Sequence, residues 1–288
     1  MLPEFNLWMP KTLPEALEML AEAAPDVRPL AGGTNLIPDM RGGRHRRGVL
    51  VNVAGLDELG GIRQEDGHLV VGGGVTIAEL LDDPLIAQTA PVLREAAAVL
   101  ASPLVRNRAT VGGNLANASP AADTAPPLLV LGAEVELASR EGARRVPLDE
   151  FFVHVRRTAC EPHELLTSIR WPTPPVGSVG RFRKLALRKA DAVSVVNAAV
   201  LVEPGGEGRC GQARIALGAV APTPIRAHVA EDALRGQPLT AEVIAGAAHL
   251  AAEATRTIDD LRGSAGYRRR VTEVLVRRLL AEIAEEVK

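Results

Sequence analysis

The chain has 288 residues, of which 47% are hydrophobic, 24% are charged and only 2% are aromatic, and its formal net charge is −2. This length is enough for two ordinary domains, each able to bury its own core. A nucleic-acid surface usually needs an excess of basic residues, and single-strand binding needs stacking aromatics. The composition provides neither, so we expect no nucleic-acid partner.

Cysteine content and hydropathy exclude further classes of protein. Cys160 and Cys210 are the only cysteines, which excludes a disulfide framework, a four-cysteine zinc site and an iron–sulfur cluster ligated by this chain alone. No stretch reaches the ~20 apolar residues of a membrane-spanning helix, and the N-terminus lacks the basic and apolar regions of a signal peptide. We therefore expect a cytoplasmic protein with no membrane span.

Helices and strands are predicted to mix in the first half of the chain and to separate in the second. Two capping boxes, Thr12 with Glu15 and Thr76 with Glu79, predict helix starts, and residues 172–177 (PTPPVG) have the composition of a linker. Helices are predicted over residues 15–24, 77–81, 90–100, 125–131, 241–255 and 266–284. Strands are predicted over residues 27–30, 48–53, 68–71, 134–138, 193–202 and 213–219. This order indicates an α+β protein of two domains.

Two double-glycine loops are the most informative feature of the sequence. The first covers residues 30–36 (LAGGTNL), and the second covers residues 110–115 (TVGGNL). A glycine pair lets backbone N–H groups converge without a Cβ in the way and tolerates positive φ, so each loop can form an anion-binding nest. Each loop alone also fits an ordinary turn. Two such loops, without Rossmann or P-loop spacing, predict a nucleotide diphosphate held from two sides.

Two polar residues near the second loop each allow a structural and a ligand-binding interpretation. Asp123 can cap the helix predicted after it, or its carboxylate can accept hydrogen bonds from sugar hydroxyls. Asn114 can adopt a left-handed loop conformation, or its amide can reach a ligand. The glycine run at residues 72–74 has neither Rossmann spacing nor a P-loop lysine, and we interpret it as a tight turn.

No arrangement of catalytic side chains is visible in the sequence. The six histidines lack metal-ligand spacing, neither cysteine has a nearby histidine, and Ser119 precedes Pro120 rather than lying in a nucleophile elbow. Nucleotide loops without side-chain catalysts indicate that a bound cofactor performs the chemistry. We therefore expect no catalytic residue and no metal ligand in this chain.

Five motifs carry a resemblance to a known family. In the first half they are residues 31–34 (AGGT), 106–114 (RNRATVGGN) and 118–123 (ASPAAD). In the second half they are residues 215–224 (IALGAVAPTP) and 260–269 (DLRGSAGYRR). In this order the chain resembles, along nearly its whole length, the FAD-binding medium subunit of molybdenum hydroxylases. That family includes the flavin subunits of bacterial xanthine dehydrogenases and aerobic carbon monoxide dehydrogenases.

The resemblance implies a PCMH-type FAD-binding domain of two α/β subdomains over residues 1–175, followed by a small α+β C-terminal domain over residues 178–288. FAD would lie between the subdomains, with its pyrophosphate on backbone N–H groups of the first loop and the second loop as the opposite wall. Asp123 would bind sugar hydroxyls, and Lys184 would approach from the domain junction. The implied cofactor-binding residues are Leu30, Ala31, Gly32, Gly33, Thr34, Asn35, Leu36, Leu100, Thr110, Val111, Gly112, Gly113, Asn114, Asp123, Leu166 and Lys184.

Three positions bear on the place of the chain within the family. Asn35 stands where the family often has Asp, which leaves a backbone nest intact but removes a charge. Thr34 and Asn114 fit the xanthine-dehydrogenase-like members better, because the carbon monoxide dehydrogenase subunits tend to carry His and Ser there.

The implied function is that of an electron-transfer subunit. A large molybdopterin subunit and a small subunit with [2Fe–2S] clusters would oxidise the substrate, and FAD in this chain would pass the electrons to NAD or another acceptor. One alternative is a stand-alone FAD-dependent oxidase of the same fold superfamily, for which no catalytic base is visible. The other is a flavin-free assembly or scaffold protein, against which the intact glycine loops argue.

Overall fold

The computed structural model describes residues 2–44 and 48–287, so the predicted domain ends Met1 and Lys288 lie outside the described residues. The first subdomain contains β1 (Asn6–Trp8), α1 (Leu13–Ala23), β2 (Val27–Leu30), α2 (Leu36–Arg41) and β3 (Val49–Asn52). Its strands form a parallel sheet in the order β1-β3-β2. Ala16, Leu17 and Leu20 form the apolar face of α1, which packs on this sheet.

The second subdomain is larger and antiparallel. Its strands are β4 (Ile62–Glu65), β5 (His68–Gly72), β6 (Glu134–Ser139), β7 (Gly142–Pro147), β8 (Phe152–His154), β9 (Arg157–Thr158) and β10 (Leu165–Pro172). Its helices are α3 (Ile77–Asp82), α4 (Pro84–Thr89), α5 (Pro91–Val99), α6 (Pro103–Arg106), α7 (Val111–Ala116), α8 (Ala125–Val130) and α9 (Leu148–Phe151). The main sheet has the order β4-β5-β10-β6-β7, and β8 and β9 form a separate hairpin.

The C-terminal domain contains one antiparallel sheet and three helices, of which the second contacts the other two helices rather than the sheet. It contains β11 (Val179–Ala186), β12 (Ser194–Pro204), β13 (Cys210–Gly218), β14 (Ile225–Arg226), α10 (His228–Leu234), α11 (Ala241–Glu253) and α12 (Ala265–Glu286). The nine residues 194–202 of β12 are all buried. One face of the strand packs with α12, and the other packs with α8 of the second subdomain. Burial on both faces explains the uninterrupted apolar run in the sequence.

Every predicted helix and strand has a counterpart, and the α+β architecture is the one that the sequence predicts. The Thr76 capping box is complete. At Thr12 it is only half formed, because the Glu15 carboxylate accepts from the Lys11 N–H, and α1 begins at Leu13 rather than Glu15. The sequence did not predict strands β1, β4, β7, β8, β9, β10, β11 and β14 or helices α2, α4, α6, α7, α9 and α10. In the described ranges, none of the helices combines the length and apolar character of a membrane span.

Candidate functional site

A cavity of about 350 Å³ lies between the two subdomains of the N-terminal half, a volume within the range of small-molecule sites. Both glycine loops and residues 156–166 contribute to its walls. The predicted site residues on its lining are Leu30, Ala31, Gly32, Gly33, Thr34, Asn35, Leu36, Thr110, Gly112, Gly113, Asn114 and Leu166. Leu100, Val111, Asp123 and Lys184 do not line it.

The first glycine loop, residues 31–35 between β2 and α2, offers backbone donors to the cavity. Across the described part of the chain, no protein acceptor is bonded to the N–H groups of residues 32–35. Gly33 has a φ of +69°, a left-handed conformation that favours glycine. A Cβ on Gly32 would lie 1.6 Å from the carbonyl oxygen of Arg108, so the two backbones are in direct contact. This loop has the properties of an anion-binding nest.

The second glycine loop starts helix α7, and its N–H groups are already used. Thr110 Oγ1 accepts from the Gly113 N–H at 3.0 Å and caps the helix. The N–H groups of Val111, Gly112 and Asn114 donate to carbonyl oxygens of Val75, Gly73 and Thr110. The expectation of a second backbone nest is therefore wrong, because helix formation and contact with the Gly73 segment consume the donors.

Close approach, rather than positive φ, explains the glycines of the second loop. A Cβ on Gly112 would lie 2.6 Å from the Gly73 carbonyl oxygen, and one on Gly113 would lie 2.8 Å from Thr110 Oγ1. Within the run at residues 72–74, Gly72 ends β5 and Gly73 and Gly74 form the predicted turn, and these two residues also line the cavity. Asn114 is helical rather than left-handed, and it lines the cavity together with Thr110, the other residue of this loop with a polar side chain there.

Asp123 lies at the junction with the C-terminal domain and is only 6% exposed. Its carboxylate accepts hydrogen bonds from Lys184 Nζ at 2.6 Å, Ser194 Oγ at 2.6 Å and Asn197 Nδ2 at 2.8 Å. The helix-cap interpretation is wrong, because Thr124 occupies the N-cap position of α8. Three protein donors explain the burial of this charge. The sugar-binding role of Asp123 stays a prediction.

Sequence reasoning missed the charged rim of the cavity. Arg156, in the turn between β8 and β9, forms an ion pair with Asp39 on α2 and so joins the two subdomains. Glu164 accepts hydrogen bonds from Arg144 at 2.6 and 2.8 Å and from the Glu161 N–H at 2.8 Å. The signal available in the sequence was only a run of mixed charges, RRTACEPHE at residues 156–164.

The rim residues have shifted pKa values. Burial raises the pKa of Glu164, but the hydrogen bonds from Arg144 and Glu161 lower it by more, so the net pKa lies below its ordinary value. Burial raises the pKa of the Cys160 thiol to about 12. The carboxylate is therefore already paired and the thiol stays protonated at neutral pH, so neither group provides a base or a nucleophile.

Comparison with known proteins agrees with this architecture. The model of the FAD binding domain in molybdopterin dehydrogenase matches residues 3–174, which is more than half of the chain. The chain belongs to this family. A second model, the CO dehydrogenase flavoprotein C-terminal domain, matches residues 181–283.

Relatives and solved structures match over nearly the whole chain. The carbon monoxide dehydrogenase medium chain of Afipia carboxidovorans is 36% identical over 274 residues, 95% of this chain and 94% of that protein. The xanthine dehydrogenase FAD-binding subunit of Escherichia coli O157:H7 is 31% identical, covering 94% of this chain and 93% of that protein. A carbon monoxide dehydrogenase structure from Hydrogenophaga pseudoflava has a TM-score of 0.96 at 33% identity, covering 99% of each chain. These identities do not support the xanthine-dehydrogenase preference inferred from Thr34 and Asn114.

The residues of the cavity fit the cofactor for which the family is named. An anionic pyrophosphate needs convergent N–H donors, and the first loop supplies them. Aromatic rings need apolar walls, and Leu30, Leu165 and Leu166 lie on the lining. Arg28, Arg156 and Arg157 also line the cavity, together with Glu161 and Glu164, so the lining carries charges of both signs.

Proposed function

We propose that this chain is the FAD-carrying electron-transfer subunit of a molybdenum hydroxylase complex. The observation that carries the proposal is the row of N–H groups at residues 32–35, which have no protein acceptor among the described residues and lie on the wall of a cavity within the matched FAD-binding domain. We assign cofactor binding to residues 1–175. Residues 178–288 would stabilise the FAD-binding domain through the ion pair of Lys184 with Asp123.

Individual residues would have distinct roles in holding the cofactor. Gly32, Gly33 and Thr34 would bind the pyrophosphate through their N–H groups, and Asn114 would donate from its side chain. Leu166 would contact the flavin rings. Leu100, Val111 and Lys184 do not line the cavity and would stabilise the residues that do. Together these residues would orient the flavin and exclude water from part of it.

Bound FAD would supply the redox chemistry, taking electrons from iron–sulfur clusters of a partner subunit and passing them to NAD or another acceptor. Among the described residues, no group of three His, Cys, Asp or Glu side chains is placed to hold a metal ion. We therefore assign the [2Fe–2S] clusters to a small partner subunit and the molybdopterin to a large one. The role of this chain would be to position the flavin between them and the acceptor.

The cofactor content of the purified chain tests this proposal. We expect a yellow protein whose cofactor, released by heat and separated by chromatography, is FAD. Co-expression with a cluster-bearing small subunit and a molybdopterin large subunit should give a complex containing iron, molybdenum and FAD. FMN, or a colourless chain that does not bind added FAD, would contradict the proposal. Substrate oxidation by the chain alone, at about 1 s⁻¹ or faster, would favour the stand-alone oxidase.

A further inference from the structure

We propose that Thr124 is a positioning residue that orients the carboxamide of Asn114, so that its N–H donors are directed at the bound cofactor. This inference rests on the proposed function. Neither the glycine-loop pattern nor the family motifs assign Thr124 any role. Three features of the structure support this role. They are the hydrogen bond of the Thr124 hydroxyl, the burial of Thr124, and the hydrogen bonds that already occupy the backbone N–H groups of the second glycine loop.

The Thr124 hydroxyl does not do what a threonine at its position usually does. Thr124 is the N-cap of α8, where a threonine side chain typically accepts from a backbone N–H of the first turn. Here the side chain makes no cap hydrogen bond. Its hydroxyl instead donates to Asn114 Oδ1 at 2.6 Å. The helix therefore forgoes its side-chain cap, and the hydroxyl serves a contact on α7.

Burial makes this contact directional. Thr124 is 0% exposed, so its hydroxyl cannot donate to bulk water. If the Asn114 carboxamide reversed, Thr124 Oγ1 could accept from its NH₂ group, but the buried hydroxyl hydrogen would lose the acceptor that it has in the structure, which is unfavourable. The hydroxyl thus holds the oxygen of Asn114 toward Thr124. The Nδ2 group is left on the other side, and no acceptor in the described ranges is bonded to it.

The second glycine loop depends on that NH₂ group. The N–H groups of residues 111–114 are all bonded within the protein, and Thr110 Oγ1 is used as the cap of α7. Asn114 lies on the cavity lining, so its two N–H hydrogens are donors that this wall can offer to a cofactor oxygen. An incorrectly oriented carboxamide would present an oxygen to the anionic part of a dinucleotide.

Apoprotein reconstitution measures the effect directly. The FAD dissociation constant of the flavin-stripped full chain is obtained from the quenching of FAD fluorescence. We expect Thr124→Val to raise this constant about fivefold, the equivalent of one weakened hydrogen bond. Thr124→Ser keeps the hydroxyl and should restore binding to within about twofold. If the valine variant does not fold, Thr124→Ala provides the same test, because it also removes the hydroxyl and introduces a smaller side chain.

Two controls separate positioning from general destabilisation. Thr272 on α12 is also 0% exposed, and its hydroxyl donates to the Arg268 carbonyl oxygen at 2.9 Å. Thr272→Val should therefore lower thermal stability without changing FAD affinity. In an Asn114→Ala background, Thr124→Val should have no further effect on the dissociation constant, because the group that it orients is gone.

The possible outcomes distinguish this inference from the proposed function. If the wild-type apoprotein does not bind FAD, both are overturned. If the wild type binds FAD but Thr124→Val and Thr124→Ala bind it equally well, only the positioning role is overturned. An additive loss of affinity in the Asn114→Ala background would also overturn it. The positioning role would be supported if Thr124→Val lowered FAD affinity, Thr124→Ser restored it, and Thr124→Val caused no further loss of affinity in the Asn114→Ala background.

Discussion

The two glycine loops line the same cavity, but they contribute different groups to it. In the first loop, the N–H groups of residues 32–35 have no acceptor within the described ranges, and Gly33 is left-handed. In the second loop, the N–H groups of residues 111–114 are bonded to the protein, and its glycines allow α7 to approach Gly73 and Thr110. One wall therefore offers backbone donors, and the other offers side chains, that of Asn114 among them.

The comparison shows that one sequence pattern can serve two physical purposes. A Gly-Gly pair can free N–H groups for an anion, because positive φ turns them away from their usual partners. It can equally let two backbones touch, because no Cβ separates them. The number of anion-binding nests in a site therefore cannot be inferred from the number of glycine pairs in the sequence. The following predictions test this division of roles, from the largest expected effect to the smallest.

Gly32→Ala should have the largest effect, because the new Cβ would lie 1.6 Å from the Arg108 carbonyl oxygen and the two backbones would have to separate. We expect a loss of about 3 kcal/mol in the free energy of unfolding and loss of bound FAD. Thermal unfolding and the flavin-to-protein ratio measure both. Gly246→Ala on α11, where a Cβ meets nothing within 4 Å, is the control and should keep its flavin. Full flavin occupancy in Gly32→Ala would show that the loops can separate freely.

Asn114→Ala and Asn35→Ala compare the side chains of the two loops. Asn114 supplies donors of the second wall, so its truncation should weaken FAD binding about tenfold. Asn35 belongs to the loop that binds through its backbone, so its truncation should change the affinity by less than about threefold. Fluorescence titration of the apoproteins gives both values. Equal losses at the two positions would contradict the division of roles.

Gly33→Ala and Gly113→Ala test why each loop needs glycine. At Gly33 the left-handed backbone alone costs about 1–2 kcal/mol, and the new Cβ would also lie 3.2 Å from side-chain atoms of Leu30 and Ile37, which do not involve Thr110. At Gly113 the Cβ would lie 2.8 Å from Thr110 Oγ1, so the cost is a disturbed helix cap of about 1 kcal/mol. Urea unfolding of a double-mutant cycle with Thr110→Ala should show strong coupling to Gly113→Ala and none to Gly33→Ala. Coupling at Gly33 would refute the backbone explanation.

The smallest expected effect concerns pH and the rim of the cavity. Because the pKa of Glu164 in the folded chain lies below its ordinary value of 4.5, its ionised form stabilises the fold. That contribution is present above pH 4.5 and is lost as the pH falls through the lowered pKa. In Glu164→Gln, stability should therefore fall less steeply under acid than in the wild type. Glu150→Gln, at an exposed position on α9, serves as the control.

Much of this molecule could be predicted from its sequence, and the failures have physical causes. Local signals located six of the helices, since caps such as Thr76 act within one turn, but most of the helices of seven residues or fewer were not predicted. The strand β7 escaped because it is an exposed edge strand with one buried residue, so its sequence has no alternation. The roles of Asp123 and Thr124 escaped because their partners, such as Lys184 and Asn114, are set by tertiary packing.

Hydrogen exchange of individual amides, with and without FAD, tests the central claim most directly. In the apoprotein, the amides of residues 32–35 should exchange rapidly and those of residues 111–114 should be protected, because within residues 2–44 and 48–287 only the latter have protein acceptors. Addition of FAD should then protect residues 32–35 strongly and leave residues 111–114 nearly unchanged. An equal gain of protection in both loops, or a gain confined to residues 111–114, would contradict the account.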